Sequence, residues 1–367
     1  MNHITNPQLL ERVDAFLRGI TAEDKVVIVH DTDPDGICSA VIMAKCIERL
    51  RKRKIDLHIS LDRKTHGISA AMISSFKKKK ITKIITTDFS LEQDPETIKK
   101  LEKFASILVV DHHKVYNEIQ SDKTLLYKPQ FFTSIDPPKY CTGKLAYDAA
   151  NRVVNASDLD WMTAAACIAD IATQPWEDWL SQVLSKHNIH ITNFDNSELF
   201  KNRIGQVAAT ISSTEIYNQK LVPKCFDAFY VAKGPDDVLN SVFGKYKKII
   251  DKELYKHLDL FETKAEIYGE THFYELKSKY RVNSPLSTIL GLKYPNRTIL
   301  IVNTTKPTIS VSARRNDKNP PVNTLLENAI KGFKDANGGG HAPAAGAGFS
   351  KKYLKTFKQR IIEASHG

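Results

Sequence analysis

Short apolar runs alternate with helix-like segments through the first third of the chain. Four runs have the composition of strands, at residues 25–30, 56–60, 83–87 and 106–110. Segments with helical spacing of apolar residues lie between them, for example at residues 37–50 and 68–76. Strands that alternate with helices predict right-handed βαβ units and a mostly parallel sheet. We therefore expect a doubly wound α/β domain here.

The pattern changes after residue 142, where helical spacing dominates. An alanine-rich helical segment covers residues 161–173, and a charged, mostly helical stretch follows it as far as residue 265. Strand-like runs then return, before a glycine cluster and a basic final helix, at residues 272–276, 298–302 and 308–313. This predicts a helical connector and a second, smaller α/β domain. The expected boundaries are 1–185 for the first domain, 186–265 for the connector and 266–367 for the second.

Composition narrows the class of partner without fixing the chemistry. The chain has 53 Lys and Arg against 42 Asp and Glu, a formal charge of +11. This charge suits a polyanionic partner, but it is equally expected if the cytosolic proteins of the organism are basic in general. Basic clusters at residues 49–54 and 77–80 are expected to be solvated helix ends. Five cysteines without a CxxC pair predict buried, reduced thiols. No apolar run approaches the ~20 residues of a membrane span, so we expect a soluble, cytoplasmic protein.

Three carboxylates at alternate positions follow the first apolar run, in Asp31-Thr32-Asp33-Pro34-Asp35-Gly36. A turn with this much like charge repels itself unless cations neutralise it. An EF-hand loop is excluded because its twelfth position, which needs a carboxylate, is Ile42. An ordinary helix cap could use one of the three aspartates but hardly all of them. We therefore favour a metal site at this turn.

Two further strand-like runs also end in candidate metal ligands. Asp88 follows the third run, and Asp111-His112-His113 follows the fourth. Residues just beyond the carboxyl ends of neighbouring parallel strands meet in one crevice, so these side chains are expected to converge with the Asp31 turn. Asp170, in the alanine-rich segment, is a further candidate, because a buried carboxylate needs a partner or a metal. Exposure on one helix face is the alternative for Asp170.

The second half of the chain contains two motifs of small and charged residues. They are Ser312-Ala313-Arg314 and the segment from Gly338-Gly339-Gly340-His341 to Gly346. Glycine lets backbone N–H groups approach phosphate oxygens closely, and Arg and His can add charge-assisted hydrogen bonds. A glycine run on its own is more often a flexible turn.

The order of these motifs resembles that of the DHH phosphoesterase superfamily. The turn at Asp31, the strand-end Asp88, the Asp111-His112-His113 triplet and the later Asp170 look like its four motifs, and the C-terminal pair resembles the DHH-associated domain. Within the superfamily, the Asp-x-Asp-x-Asp-Gly form is closest to RecJ-like exonucleases, many of them archaeal. Two features depart from family patterns. Members with the nanoRNase pattern carry a His within the first motif, whereas here His30 precedes the first Asp. We also expect no counterpart of the oligonucleotide-binding domain that follows the associated domain in bacterial RecJ.

The resemblance implies a two-metal phosphodiesterase site. Two Mn²⁺ ions, with Mg²⁺ as a substitute, would be held by Asp33, Asp35, Asp88, His112 and Asp170. Asp88 would bridge the ions, and Asp31 and Asp111 would act as direct or indirect partners. His113 would donate to the scissile phosphate or steady the nucleophile. The substrate would be held by Ser312, Arg314, Gly338, Gly339, Gly340 and His341.

The resemblance also implies the class of reaction. The leading interpretation is an exonuclease that hydrolyses single-stranded DNA or RNA from the 5′ end. One alternative is hydrolysis of very short RNA, as in nanoRNases, or of a cyclic dinucleotide. Another is a binding protein of the replication fork, since some RecJ relatives have lost their metal ligands and serve helicase assemblies. Replication or repair proteins are the expected protein partners.

Overall fold

A computed structural model describes residues 3–61, 67–119 and 121–366. The chain divides into two compact units, residues 1–245 and 246–367. Residues 186–245 of the predicted connector belong to the first unit, and the three-part division of the chain stays a prediction. No helix formed by the described residues has both the length and the apolar character needed to cross a membrane.

The first unit contains a parallel sheet that, in the described residues, has five strands in the order β2-β1-β3-β4-β5. The strands are β1 (Val26–His30), β2 (Leu57–Ser60), β3 (Lys83–Thr87), β4 (Ser106–Val110) and β5 (Thr124–Tyr127). All five residues of β1 are buried, as expected for a central strand covered on both faces. The predicted α/β fold class is therefore confirmed.

Helices cover both faces of this sheet. On one face, Val29, Ile84 and Val109 pack with Phe76 and Leu101 from two covering helices, α3 and α4. On the other face, α2, α5 and α6 pack against one another, and α2 and α5 contact the strands. The helices of this unit are α1 (Pro7–Arg18), α2 (Pro34–Arg51), α3 (Ala70–Lys78), α4 (Pro95–Glu102), α5 (Thr142–Val153), α6 (Asp160–Ala169), α7 (Glu177–Lys186), α8 (Asn196–Lys201), α9 (Arg203–Asn218), α10 (Pro223–Val231) and α11 (Pro235–Leu239).

The acidic turn after β1 starts α2. The Asp33 side chain accepts a hydrogen bond of 2.8 Å from the Gly36 N–H, and Pro34 occupies the first helical turn, where its missing N–H costs nothing. Gly36 is required because a Cβ there would lie 2.7 Å from the Asp31 carbonyl oxygen. The turn therefore positions its carboxylates through a tight backbone approach.

The basic end of α2 corrects one expectation. Arg51 is not solvated: its guanidinium is buried and donates to the carbonyls of Asp24, Arg53 and Lys54 and to the Asp56 carboxylate. Three carbonyl acceptors and one carboxylate offset the cost of burying this charge. The second basic cluster, residues 77–80, is exposed as predicted.

The second unit contains a mixed sheet that, in the described residues, has six strands in the order β10-β11-β9-β8-β7-β6. The strands are β6 (Glu266–Tyr268), β7 (Thr271–Leu276), β8 (Thr298–Asn303), β9 (Thr308–Arg314), β10 (Asn337–His341) and β11 (Ala344–Ser350). The helices are α13 (Asn283–Lys293), α14 (Val322–Ile330) and α15 (Leu354–His366), and α12 (Val242–Lys264) crosses the boundary between the units. Helices α14 and α15 cover the face that carries Val311 and Phe349.

Most predicted strands are observed within one or two residues of their expected positions. The pattern missed β5, β6 and β11, and it assigned no strand to the glycine run, which forms β10. The mostly helical character predicted for the stretch from about residue 176 to residue 265 is confirmed by helices α7 to α12. The five cysteines are free and buried, as expected.

Candidate functional site

Three acidic residues meet at the carboxyl edge of the first sheet. Strands β1, β3 and β4 are neighbours and parallel, so the residues that follow them, Asp31, Asp88 and Asp111, emerge at the same edge. The strand order reverses between β1 and β3, and such a reversal opens a crevice beyond the strand ends. The convergence predicted from the sequence is therefore observed.

Three overlapping groups of side chains bring their ligand atoms within 4.8 Å of one another. Each group could hold a metal ion: Asp88, His112 and His113; Asp35, His112 and Asp170; and Asp31, Asp33 and Asp88. Asp88 and His112 each belong to two groups. Five of these side chains line a cavity of about 600 Å³. Another cavity, of about 660 Å³ beside α1, contains none of these side chains in its lining. We therefore take the 600 Å³ cavity, which has both carboxylates and imidazoles in its lining, as the candidate functional site.

The N-terminus of α5 fixes the buried Asp35. One carboxylate oxygen, Oδ2, accepts the Thr142 N–H at 2.7 Å, and Oδ1 accepts the Gly143 N–H at 2.7 Å. Both donors belong to the first turn of a helix, where unpaired N–H groups favour an anion. A Cβ at Gly143 would lie 2.5 Å from the Ala166 Cβ and 3.0 Å from Asp35 Oδ1. Glycine therefore allows α5 to approach both Asp35 and α6.

Asp88 and Asp170 are fixed by different parts of the backbone. Asp88 adopts a left-handed conformation, with a φ of 67°, and its Oδ1 accepts the Thr142 hydroxyl at 2.9 Å. Asp170 is the C-cap residue of α6, and Ile171 after it also has a positive φ, of 54°. Left-handed residues other than glycine and asparagine are uncommon and tend to cluster at functional sites. Asp170 is thus at a helix end, not on an exposed helix face.

The carboxylates raise one another's pKa. Burial and the Asp33 charge raise the pKa of Asp35 to about 7, and burial and the Asp35 charge raise the pKa of Asp170 to about 8. The pKa of Asp88 is raised well above its usual range, by burial and by Asp35 and Asp33. Neighbouring acids that resist ionisation in this way indicate a site that a cation would complete. Oxygen ligands with one or two imidazoles suit Mn²⁺ or Mg²⁺.

The two histidines of the triplet lie in different environments. His112 is mostly buried, with Nε2 3.4 Å from Asp170 Oδ2 and 3.7 Å from Asp88 Oδ1, and burial lowers its pKa. His113 is half exposed, and its Nδ1 lies 2.7 Å from Asp111 Oδ1, a hydrogen bond that raises the pKa of His113. Asp111 thereby orients the His113 ring and leaves Nε2 for other contacts.

The partners of Asp111 lower its pKa, whereas the pKa values of Asp35, Asp88 and Asp170 are raised. Burial alone would raise its pKa, but the His113 hydrogen bond and the Lys128 ammonium outweigh burial and lower the net value. Lys128 Nζ donates to Asp111 Oδ2 at 2.7 Å and to Glu92 Oε1 at 2.6 Å. All three charged groups are fully buried. Asp111 therefore holds the His113 ring through a hydrogen bond, while Asp88 and His112 belong to the groups that could bind a metal.

His30, the departure noted at the end of the first strand, is buried. Its Nδ1 lies 2.7 Å from the Asp31 carbonyl oxygen, and its ring stacks with those of His58 and Phe226. Burial lowers the pKa of His30 to about 4, so the ring is neutral. His30 therefore packs against α10 and braces the Asp31 backbone.

The second unit brings the charged residues of its two motifs onto one face of the sheet. Arg314 pairs with Ala344, and Ala344 pairs with His341, so Arg314 and His341 lie in one row across three strands. Ser312 lies in the next row of the same face, where it accepts a hydrogen bond of 2.9 Å from Asn283. Paired residues on neighbouring strands project to the same side. This face is opposite to the core formed with α14 and α15.

The three glycines of the run differ in their surroundings. A Cβ at Gly338 would meet Ile330 Cδ1 at 2.7 Å, so Gly338 packs against α14. Gly340 has a φ of 138° and lies against the backbone of Ala344 and Ala345. A Cβ at Gly339 would meet nothing within 4 Å, so the sheet exposes bare backbone there.

Arg314 and Arg315, which the sequence did not separate, have distinct partners. Arg314 donates through Nη2 to the Thr288 hydroxyl at 2.7 Å, while its buried Nε has no hydrogen-bond partner among the described residues. Arg315 is buried and forms salt bridges to Glu270 and Asp317. Arg315 therefore stabilises the second unit through its salt bridges, while Arg314 lies on the face of the sheet that also carries His341.

Four residues of the first site carried no recognisable signal in the sequence. They are Thr142 and Gly143, which bind Asp35 and Asp88, and Lys128 and Glu92, which form the buried network with Asp111. A lysine is usually exposed, and a Thr-Gly pair is common in turns. Their roles depend on which strand or helix end lies beside them.

Two family models match the chain. The N-terminal domain of the DHH family matches residues 25–173, and the DHHA1 domain matches residues 283–366, so together they cover more than half of the chain. The chain belongs to the DHH superfamily. RecJ is among the proteins to which it is similar.

The similarity to a curated relative is partial. Over 187 residues, 50% of this chain, the sequence is 22% identical to the single-stranded-DNA-specific exonuclease RecJ of Bacillus subtilis. The match covers 24% of that protein, so the chain spans about a quarter of its relative.

Solved structures share the fold over nearly the whole chain. RecJ of Thermus thermophilus in complex with Mn²⁺ gives a TM-score of 0.62 at 14% identity, over 98% of this chain and 55% of that chain. The DHH domain of a member of a ribosomal-protein family gives 0.67 at 15% identity, over 98% and 90%. A pGpG-specific phosphodiesterase of Vibrio gives 0.54 at 14% identity, over 94% and 99%. At these identities the similarity shows the fold alone.

We predict that Gly143→Ala weakens Mn²⁺ binding at least tenfold. The methyl group has no space between Asp35 and Ala166, so α5 must shift and lose its N–H contacts to Asp35. Overpacking of this kind also lowers the free energy of unfolding by about 1–3 kcal/mol. Calorimetric titration with Mn²⁺ and chemical denaturation measure the two effects. Gly234→Ala is the control, since a Cβ there meets nothing within 4 Å; unchanged affinity in Gly143→Ala would contradict the assignment.

We predict that Mn²⁺ binding releases protons and becomes tighter as pH rises from about 6 to 9. Asp35 and Asp170, with pKa values of about 7 and 8, are largely protonated at the lower pH, and a bound cation must displace those protons. Calorimetry in two buffers of different ionisation enthalpy counts the protons. Asp170→Asn should reduce the count. An affinity that does not change across this range would show that these acids do not bind the ion.

Proposed function

We propose that the protein is an exonuclease that hydrolyses single-stranded DNA or RNA, from the 5′ end, at a site for two Mn²⁺ ions. The observation that carries the proposal is the overlap of the metal-binding groups, because Asp88 and His112 each belong to two of them. The Asp88 carboxylate could offer one oxygen to each of two neighbouring ions, whereas the neutral His112 ring could offer one nitrogen to one of them. Mg²⁺ is the expected substitute, since its ligand preferences overlap with those of Mn²⁺.

Three of the proposed ligands, Asp33, Asp35 and Asp88, are held by hydrogen bonds from the chain before an ion binds. Asp33, Asp35, Asp88, His112 and Asp170 are the proposed ligands, with Asp31 as a further partner. The N-terminus of α5 orients Asp35, and the Thr142 hydroxyl orients Asp88. When bound, the ions would supply an activated water and neutralise charge on the attacked phosphate. Ligands fixed in advance reduce the reorganisation that binding requires.

His113 is the proposed donor to the scissile phosphate. Its Nδ1 is engaged by Asp111, so Nε2 is the nitrogen that remains for a phosphate oxygen. The ring lines the cavity beside Asp88 and is half exposed. The hydrogen bond to Asp111 raises the pKa of His113 and favours the charged, doubly donating form. Asp111 thus acts in catalysis through the orientation and charge of His113.

The second unit is proposed to hold the substrate backbone. Ser312, Arg314 and His341 surround the bare strand segment at Gly339, where no side chain blocks the approach of a phosphate. The Arg314 guanidinium lies on this face and would add charge-assisted hydrogen bonds to a phosphate. Gly338 and Gly340 shape the strand on either side of this segment. The net positive charge of the chain is consistent with a polyanionic substrate.

Hydrolysis of short RNA or a dinucleotide is the second candidate function. The observation that favours it is the similar fold of the Vibrio pGpG-specific phosphodiesterase, 99% of which this chain covers. A replication or repair binding role is compatible with the similar fold of CDC45 from Entamoeba histolytica, which has a TM-score of 0.55. The intact acidic motifs favour hydrolysis over binding alone.

We predict that Asp88→Asn and His112→Ala each lower hydrolysis of a labelled oligonucleotide at least a thousandfold. Each variant removes a ligand shared by two metal-binding groups, and metal catalysis supplies most of the rate in such sites. Turnover is measured with Mn²⁺, and a circular dichroism melt confirms that each variant is folded. Excess chelator should abolish wild-type activity, and Mn²⁺ should restore it better than Ca²⁺. Turnover of either folded variant within a few-fold of wild type would exclude the two-metal assignment.

We predict that His341→Ala and Arg314→Ala separate substrate binding from chemistry. Each should lower kcat/KM on an oligonucleotide by about ten- to a hundredfold, through lost charge-assisted contacts. A small chromogenic phosphodiester should be affected much less, because it cannot use the second unit. Lys355→Ala, which removes an exposed charge elsewhere in that unit, is the control. Equal losses on both substrates would place His341 in the reaction centre and refute this division.

Parallel assays on DNA, RNA and dinucleotide substrates decide between the two candidate functions. A strand of about ten nucleotides, labelled at either end, reveals polarity from the order in which products appear. Preference for the dinucleotide by a factor of ten or more in kcat/KM would favour the second candidate.

A further inference from the structure

Lys128, the residue after β5, places a positive charge beneath the candidate active site. Its ammonium is fully buried and donates to Glu92 Oε1 at 2.6 Å, to Asp111 Oδ2 at 2.7 Å and to the Lys114 carbonyl at 3.3 Å. Both carboxylates are also fully buried. Three charges are therefore withdrawn from water within one small network.

Stability alone is a poor explanation for such a network. Burial of each ion costs several kcal/mol, and apolar residues of similar volume often replace buried ion pairs with no loss of stability. Glu92 Oε2 is in addition buried without a hydrogen-bond partner among the described residues, so the network is not fully satisfied. The contact between Lys128 and Asp111 therefore indicates that Lys128 has a role in the candidate active site.

The Asp111 carboxylate connects Lys128 to His113, a residue that lines the cavity, with one oxygen bonded to each of them. Oδ2 of Asp111 accepts from Lys128 and from the Ser90 hydroxyl, at 2.7 and 3.0 Å. Oδ1 accepts from the His113 ring at 2.7 Å and from the His113 backbone N–H at 3.3 Å. A carboxylate held on one side in this way has little freedom to rotate. Its second oxygen then fixes the direction of the His113 ring.

We propose that Lys128 is a positioning residue, which clamps Asp111 so that the Nδ1–H of His113 stays bound to Asp111 and its Nε2–H is directed at the substrate. This inference rests on the proposed role of His113 as the donor to the scissile phosphate. Among the described residues, the Lys128 ammonium contacts Ser90, Glu92, Asp111 and the Lys114 carbonyl. Lys114 lines the cavity, but of these four groups only Asp111 bonds to the His113 ring, and none belongs to the metal-binding groups. Lys128 therefore acts through Asp111.

The test compares three variants that change the network in different ways. Lys128→Met removes the ammonium at similar volume but strands two buried anions, so it is expected to be less stable. Lys128→Met combined with Glu92→Gln removes one of those anions and keeps the variant foldable. Glu92→Gln alone preserves the contact between Lys128 and Asp111 and is the matched control.

The kinetic readout is hydrolysis of an oligonucleotide in the presence of Mn²⁺. The double variant should lose about tenfold or more in kcat with little change in KM, because a misdirected donor affects the transition state. Glu92→Gln alone should lose clearly less kcat than the double variant, because Lys128 still contacts Asp111. A loss in Glu92→Gln as large as that of the double variant would show that the network acts as a whole and would overturn the assignment to Lys128.

The spectroscopic readout does not depend on activity. Long-range ¹H–¹⁵N spectra of the metal-free protein at alkaline pH report which His113 nitrogen carries the proton, with His113→Gln for assignment. We expect one tautomer, protonated on Nδ1, in the wild type and a mixture in the double variant. A wild-type spectrum, or a wild-type kcat, in the folded double variant would overturn the inference. If the wild type hydrolyses no phosphodiester, the proposed function fails, and the spectra still decide whether Lys128 controls His113.

Discussion

Repulsion among carboxylates at one edge of the sheet is the constraint on which the first unit depends. With burial, the Asp35 charge raises the pKa of both Asp88 and Asp170, and the Asp33 charge raises the pKa of Asp35. Such groups would move apart if only flexible side chains held them. Each is instead attached to a backbone feature that cannot yield locally: a strand end, a helix N-terminus or a helix C-cap. The rigidity of the sheet and its helices thus opposes the repulsion until a cation arrives.

Much of this arrangement could be predicted because parallel strands carry a strong signal. Strands buried on both faces read as continuous apolar runs, and the first polar residue after each run marks the carboxyl edge of the sheet. This reasoning located Asp31, Asp88 and Asp111 without any contact information. The alternation of strands and helices fixed the fold class for the same reason.

The supporting residues could not be predicted because their roles come from neighbours distant in sequence. Lys128 follows β5, a strand of four residues that is too short to stand out, and its partner Glu92 lies 36 positions earlier. Gly143 matters through its distance to Ala166 on another helix. In the second unit, glycine has a low strand propensity, so pairing with β11 overrides the local preference at Gly339.

The strand backbone at Gly339, which no side chain covers, limits how this surface could recognise the sequence of a bound nucleic acid. Directly opposite it, Gly346 on β11 also lacks a side chain, so the backbone itself forms that part of the surface. Amide groups can contact the repeating sugar–phosphate chain, but discrimination among bases requires side chains that reach their edges. A strand held on such a surface would be handled alike whatever its sequence. The lack of sequence preference would then come from the backbone of the sheet, because neither Gly339 nor Gly346 has a side chain that could contact a base.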